Sequence, residues 1–279
     1  ERVYHNIFVN GDIGGTMGIT MRNEPQKFLE VALAAVRSAG PAFRASFGRA
    51  SGIVEKKLGA YRSPVTDADK EIEKMIRTVL TEYFPDHSIV GEEFPAQKKK
   101  SPYTWYIDPI DGTINYIRGL PVASISVGLW RDETPLVAVV CEPISGDVYS
   151  AVRGEGAFKN GTQELSVSSI SKLSGGMGGA GRVAVLATNS ALQRVARSIY
   201  RGRQYGGSAL ELCFIAEGKL DVLVSERIKI YDVAAGMLIL TEAGGAATDW
   251  EGKPFISTST QFAASNGKIH GELLQALSG

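Results

Sequence analysis

The sequence predicts an α+β fold built as a layered sandwich. Two observations point to it: pairs of helical segments alternate with two strand-rich regions, and 44% of the 279 residues are hydrophobic, enough for a sizeable core. The first helix starts near Pro25, a favourable first-turn residue, and buries Phe28, Leu29, Ala32 and Val36. Gly40-Pro41 is expected to break or kink it. A second helix follows Thr66-Asp67 and ends at Phe84-Pro85. Its apolar face is Ile72, Met75, Ile76, Val79, Leu80 and Tyr83. From 104 to 164 the period changes to that of strands. Residues 122–130 alternate, 136–141 are continuously apolar and 147–152 follow, with turn signals at Ser145-Gly146-Asp147 and Asn160-Gly161, so an antiparallel meander is expected.

Residues 171–181 read as a loop rich in Gly and Ser. After it the pattern predicts a strand at 182–187, helices at 190–201 and 208–217, a strand at 220–225, a helix at 232–242 stopped by Gly244-Gly245, a strand at 261–265 and a C-terminal helix. The organisation is a flexible lead over residues 1–22, which is not necessarily native, an N-terminal α+β subdomain over 23–174 and a C-terminal α/β subdomain over 182–279. The spacing Gly176-x-Gly178-x-x-Gly181 has the form of a dinucleotide fingerprint. It leads into a strand rather than a helix, so it reads as a flexible linker.

Thirty basic residues balance thirty acidic ones, and no global field points to nucleic acid or an anionic membrane. Cys141 and Cys213 lie in apolar patterns and read as buried thiols of a reducing cytoplasm. Three histidines make a His-rich zinc site a poor fit, and no apolar run reaches the roughly 18 residues of a membrane span.

The most informative stretch is Thr104–Asn115, TWYIDPIDGTIN. A short apolar run delivers Asp108 and Asp111 into a turn closed by Gly112 and Thr113. Two acids three residues apart at a strand end repel one another unless a cation offsets them, and oxygen-only ligands suit a hard ion such as Mg²⁺. The following Gly-Thr exposes N–H groups at a helix start, where phosphate is favoured. An ordinary Asx-rich turn has a similar composition. Further acids lie along the chain: Asp67 and Asp69 opening the second helix, Glu92 in Gly91-Glu92-Glu93-Phe94, and Asp232 in Ile230–Gly236. Each taken singly also suits a helix cap or a surface pair.

Together these segments resemble the inositol monophosphatase family: Pro64–Asp69, Gly91-Glu92-Glu93, Asp108-Pro109-Ile110-Asp111-Gly112-Thr113 and Asp232-Val233-Ala234-Ala235-Gly236 occur in its order. The resemblance covers about residues 25 to 277 and implies an αβαβα sandwich. It also implies that Glu92, Asp108 and the Ile110 carbonyl hold one Mg²⁺, that Asp108, Asp111 and Asp232 hold a second, and that a third, weaker ion sits near Glu92. Asp69, Glu92 and Thr113 become catalytic residues, with Asp69 and Thr113 orienting or deprotonating a metal-activated water for in-line attack. Gly112 and Thr113 N–H groups hold the phosphate.

For substrate the resemblance implies a small polyol or sugar phosphate, inositol 1-phosphate first, met by Gly207, Ser208, Ser225 and Glu226. The position seven before Asp232, acidic in inositol-specific members, is Ser225, with Glu226 beside it, so either Glu226 substitutes through a local shift or inositol recognition is weakened. Gly207–Cys213 is similar to archaeal enzymes that also cleave fructose 1,6-bisphosphate, and Ile230-Tyr231-Asp232 with Thr248–Gly252 to histidinol-phosphate phosphatases. Arg203, Arg227 and Lys229 are read either as solvated surface cations or as candidates to meet a second phosphate. A homodimer and competition of Li⁺ with Mg²⁺ are also implied. A non-catalytic metal- or phosphate-binding protein and a dinucleotide oxidoreductase are the rivals from other classes.

Overall fold

The computed structural model describes residues 24–58, 61–180 and 188–279. The lead and the strand expected at 182–187 therefore lie outside the described residues. In chain order the elements begin with α1 (Glu24–Ser46), a hairpin of β1 (Val54–Leu58) and β2 (Tyr61–Val65), and α2 (Asp67–Tyr83). The meander region holds β3 (Ser88–Gly91), β4 (Tyr103–Asp111), the short α3 (Thr113–Arg118), β5 (Ser124–Arg131), β6 (Thr134–Glu142), β7 (Asp147–Val152), β8 (Ala157–Lys159) and β9 (Gln163–Glu164). The remainder is β10 (Met177–Ala180), α4 (Ser190–Ser198), β11 (Arg201–Gly202), α5 (Ser208–Ala216), β12 (Val222–Ser225), α6 (Ile230–Glu242), β13 (Ala246–Thr248), β14 (Phe262–Ser265) and α7 (His270–Ser278).

Seven strands pair in the order β3-β4-β5-β6-β7-β8-β9, antiparallel except for β3 on β4, and five pair as β11-β10-β12-β14-β13. Side-chain parity then builds the layers. Ile107, Ile125, Val127, Leu129, Val137 and Val139 face α1 and α2. Tyr106, Trp130, Ala138 and Val140 face α5 and α6. Leu223, Phe262 and Ala264 of the five-stranded sheet meet the other side of those two helices. Val222, Val224 and Ala263 face α4 and α7. Helices, sheet, helices, sheet, helices is the αβαβα sandwich expected from the sequence. A sheet covered on both faces explains why β5 is buried from Ser124 to Trp130.

Three local expectations differ from the structure. Helix α1 runs through Pro41 to Ser46 rather than breaking at Gly40-Pro41. The turn beyond the proline is held from outside, because the Tyr116 hydroxyl donates to the Phe43 carbonyl at 2.9 Å and the two rings meet edge to face at 4.7 Å. Packing there outweighs the one helical bond proline removes.

The glycine segment is not a loop throughout, and the flexible-linker reading is corrected. Met177–Ala180 forms β10, parallel to β11 and β12. A Cβ on Gly178 would stand 1.9 Å from the Val222 carbonyl oxygen, so the glycine serves strand contact. Helix α4 stops at Ser198, short of 201, because Tyr200 N–H turns to the Gly176 carbonyl at 2.8 Å and Arg201-Gly202 joins the sheet.

Candidate active site

The site is built where β4 ends. Asp108 pairs with Ser126 of β5 and Asp111 with Ser124, so three steps along β4 match two along β5. Without this bulge, residues three apart would project from opposite faces; the extra residue turns both carboxylates to the face covered by α5 and α6. The sequence suggested a turn at this point, whereas the strand continues to Asp111 and only Gly112 turns, with φ of 86°. A Cβ there would approach the Val122 carbonyl oxygen to 2.8 Å.

Each acid is held by a different element. Asp111 accepts from Ser208 N–H at Oδ1 and Ala209 N–H at Oδ2, both 2.9 Å, where α5 begins. Gly207 makes this approach possible, since its Cβ would lie 2.9 Å from Asp111 Oδ2. Asp108 Oδ1 accepts from Ile110 N–H at 3.1 Å, and the Ile110 carbonyl accepts from the Thr113 hydroxyl at 3.1 Å. Asp69, in the first turn of α2, accepts from Thr66 N–H at 2.7 Å and the Thr66 hydroxyl at 2.6 Å. Asp232 accepts from Lys229 N–H at 2.9 Å at the start of α6. Helix α6 reaches the sheet because its Ala234-Ala235 pair passes over Gly128, where a Cβ would be 3.0 Å from Ala235 N. Glu92 follows β3, which ends at Gly91 beside Ile107.

Electrostatics shows that these acids converge. Asp108 is buried, and desolvation raises its pKa well above the usual carboxylate range; the charges of Glu92, Asp111, Asp232 and Asp69 push it further. Asp111 is raised to about 7 by burial and then by Asp232, although its N–H donors oppose the shift. Asp69 is raised to about 6, mainly by burial. Tyr231 joins the cluster: burial first, then Glu92, Asp232 and Asp108, raise its phenol. Among the described residues no three Asp, Glu, His or Cys side chains stand together at metal-ligand spacing. The donor set is nonetheless carboxylate and carbonyl oxygen, which fits a hard divalent cation.

The residues expected to meet the substrate divide. Ser208 and Gly207 lie at the acids, where their backbone serves Asp111. Ser225 ends β12, and Glu226 accepts from Asn189 Nδ2 at 2.6 Å and lies 3.9 Å from Arg227 Nε. A shallow groove of about 570 Å³ lined by Lys74, Arg77, Thr78, Thr81, Glu82 and Phe94 lies on α2 and does not include the acids.

Sequence reading missed Ser124, Ser126 and Glu73. The serines had a signal, since they alternate within an otherwise apolar strand; the signal for Glu73 was an acid and Arg77 one helical turn apart.

A sequence model of the inositol monophosphatase family matches residues 24–279. The chain is 35% identical over 249 residues to a fructose-1,6-bisphosphatase/inositol-1-monophosphatase of Thermotoga maritima, covering 89% of this chain and 95% of that protein. It is 34% identical to inositol monophosphatase 2 of Solanum lycopersicum over 264 residues, with 90% and 98% covered. Among solved structures, an IMPase from Thermotoga maritima superposes with a TM-score of 0.81 at 34% identity, covering 90% of this chain and 97% of that one. With the acids converging at the end of β4 and these likenesses along nearly the whole fold, the chain belongs to the inositol monophosphatase family, metal-dependent phosphoric monoester hydrolases that act on small phosphate esters.

Proposed function

We propose that this enzyme is a Mg²⁺-dependent phosphomonoesterase of small polyol or sugar phosphates, with inositol 1-phosphate as its first substrate. The observation that carries the reading is the convergence of Glu92, Asp111, Asp232 and Asp69 on buried Asp108. Glu92, Asp108, the Ile110 carbonyl, Asp111 and Asp232 would hold two to three Mg²⁺ ions. Bound there, Mg²⁺ supplies neutralisation of the phosphate oxygens and of the leaving alkoxide, and it acidifies water. Asp69, buried and held by Thr66, takes a proton from the attacking water, and Thr113, anchored on the Ile110 carbonyl, orients that water. Backbone N–H groups of Gly112 and Thr113 at the start of α3 receive the phosphate. Attack is in line, without a covalent enzyme intermediate.

Gly207, Ser208, Ser225 and Glu226 are assigned to the leaving-group side. The chain is read as two subdomains meeting near residue 175, the second contributing Asp232 and the selecting residues. Family membership supports a cytoplasmic homodimer in which Li⁺ competes with one Mg²⁺. A second reading, fructose 1,6-bisphosphate, is favoured by the double name of the Thermotoga relative and by exposed Arg203, Arg227 and Lys229.

The test is phosphate release from inositol 1-phosphate, fructose 1,6-bisphosphate, histidinol phosphate and adenosine 3′,5′-bisphosphate, with Mg²⁺ and with EDTA. Release that EDTA abolishes, with inositol 1-phosphate preferred, is the expected result. Preference for another ester moves the substrate assignment, and no release from any of the four refutes this reading.

A further inference from the structure

Helix α2 carries two buried carboxylates one turn apart, Asp69 and Glu73, and only the first belongs to the acid cluster. Glu73 has no exposed surface, and a carboxylate is rarely kept there without dedicated partners. Its partners are all on one segment or on its own helix. It accepts from Glu93 N–H at 2.7 Å, from Phe94 N–H at 3.3 Å and from Arg77 Nε at 2.7 Å.

Arg77, one turn further along α2, completes the grip. It donates from Nη2 to the Phe94 carbonyl at 3.3 Å, and its guanidinium lies over the Phe94 ring, 5.9 Å from the centroid. On the near side, a Cβ at Gly91 would stand 2.1 Å from Glu73 Oε1, so the chain passes against the carboxylate with no side chain between them. Residues 91 to 94 thus bend around Glu73, and Glu92 lies inside that bend. One end of the bend is fixed by the pairing of Gly91 with Ile107 beside Asp108; the other is fixed by Glu73 and Arg77.

We infer that Glu73, braced by Arg77, is a positioning residue that sets where Glu92 stands relative to Asp108 and Asp69. One rigid helix then presents a site carboxylate directly and places a second through its neighbour. The inference rests on the reading of Glu92 as a metal ligand. Removal of a group that orients a ligand typically weakens metal binding by about 10- to 100-fold without removing the ligand itself.

The test is Mg²⁺ binding by isothermal titration calorimetry on the full chain and on Glu73→Gln, beside thermal unfolding and phosphate release at saturating Mg²⁺. The expected result is a dissociation constant for Mg²⁺ about tenfold higher, with kcat at saturating Mg²⁺ within about twofold of the parent. Gly91→Ala strikes the same contact from the other side and should weaken Mg²⁺ to a similar degree. Arg77→Lys keeps the charge, loses the fork, and should give a smaller shift in the same direction. Unchanged Mg²⁺ affinity in the variants that fold, whatever their unfolding temperature, overturns the inference and leaves Glu73 a purely structural group. A parent protein that binds no Mg²⁺ removes the metal-ligand reading of Glu92, and this inference with it.

Discussion

Two halves of the active site are built in contrasting ways. The half assigned to bond cleavage, Asp69, Asp108 and Asp111, is buried, and each acid is tied to backbone N–H groups of a strand or helix end. The half assigned to substrate choice reaches further out: Ser208, Ser225 and Glu226 are half-buried and Arg203, Arg227 and Lys229 exposed, although Gly207 is buried. Its ties mix backbone and side-chain groups, as in Ile228 N–H to the Thr260 carbonyl, Lys229 N–H to Asp232 and Asn189 Nδ2 to Glu226, and Arg227 takes a left-handed φ of 58°. Bond cleavage is common to phosphate monoesters and demands fixed charges, whereas the alcohol differs from one ester to the next. The first half is therefore held by elements whose movement would disturb the core, and the second by segments that can change without unfolding it.

Four substitutions or conditions would break or sharpen that contrast. The largest effect is expected for Asp108→Asn, the acid central to the cluster. Phosphate release should fall by more than about a thousandfold, while the metal-free protein becomes more resistant to heat because four like charges lose their common neighbour. Near-parental turnover in this variant would remove Asp108 from the chemistry.

Gly112→Ala comes next. Its φ of 86° and the 2.8 Å approach to the Val122 carbonyl put strain into the residue joining Asp111 to Thr113. A stability loss of roughly 1–3 kcal/mol in denaturant titration is expected, with activity down by about a hundredfold through misplacement of both neighbours.

The third test is pH. Asp69 and Asp111 have folded-state pKa values near 6 and near 7, above the unfolded value of 3.8. The folded state therefore binds these protons more tightly. The stability they contribute is complete below about pH 4 and is lost as pH rises through 6 and 7. In EDTA the unfolding temperature should fall across that window, and Mg²⁺ should restore it most at the alkaline end. His87 and His270 are depressed by burial and act oppositely, their contribution being lost as pH falls below 6.5. The difference between the EDTA and Mg²⁺ curves cancels them and isolates the acids; a difference independent of pH would contradict the cluster.

The smallest effect is expected in the selecting half. Glu226→Gln should change the ratio of kcat/KM for inositol 1-phosphate over fructose 1,6-bisphosphate by about tenfold or less, with the unfolding temperature nearly unchanged. A loss of all activity would place Glu226 with the cleaving acids instead.

Much of this organisation was legible in the chain. The i, i+3, i+4 run on α2 buries Ile72, Ile76 and Leu80 as expected and half-buries Met75 and Val79, but Tyr83, expected on the same face, is exposed at the helix end. The alternation over 122–130 and the turn signals at 145–147 and 160–161 marked the meander, because strand and turn preferences are local. What resisted reading depends on distant contacts. The helix through Pro41 depends on Tyr116, β10 on Val222, and the buried state of Glu73 on backbone groups 20 and 21 residues away.

The sequence by itself determined the kinds of chemistry available: oxygen donors rather than imidazole or thiolate, a glycine able to turn after Asp111, and acids placed at the starts or ends of elements. Those properties reside in residue type and short spacing, which the chain carries before it folds. Only the tertiary structure decided that Asp108 and Asp111 share a face, since that follows from one extra residue opposite Ser124 and Ser126. It also decided that α5 grips Asp111 and that α2 holds the bend carrying Glu92. Directions in space are set by pairing and packing across the whole chain, and no local pattern encodes them.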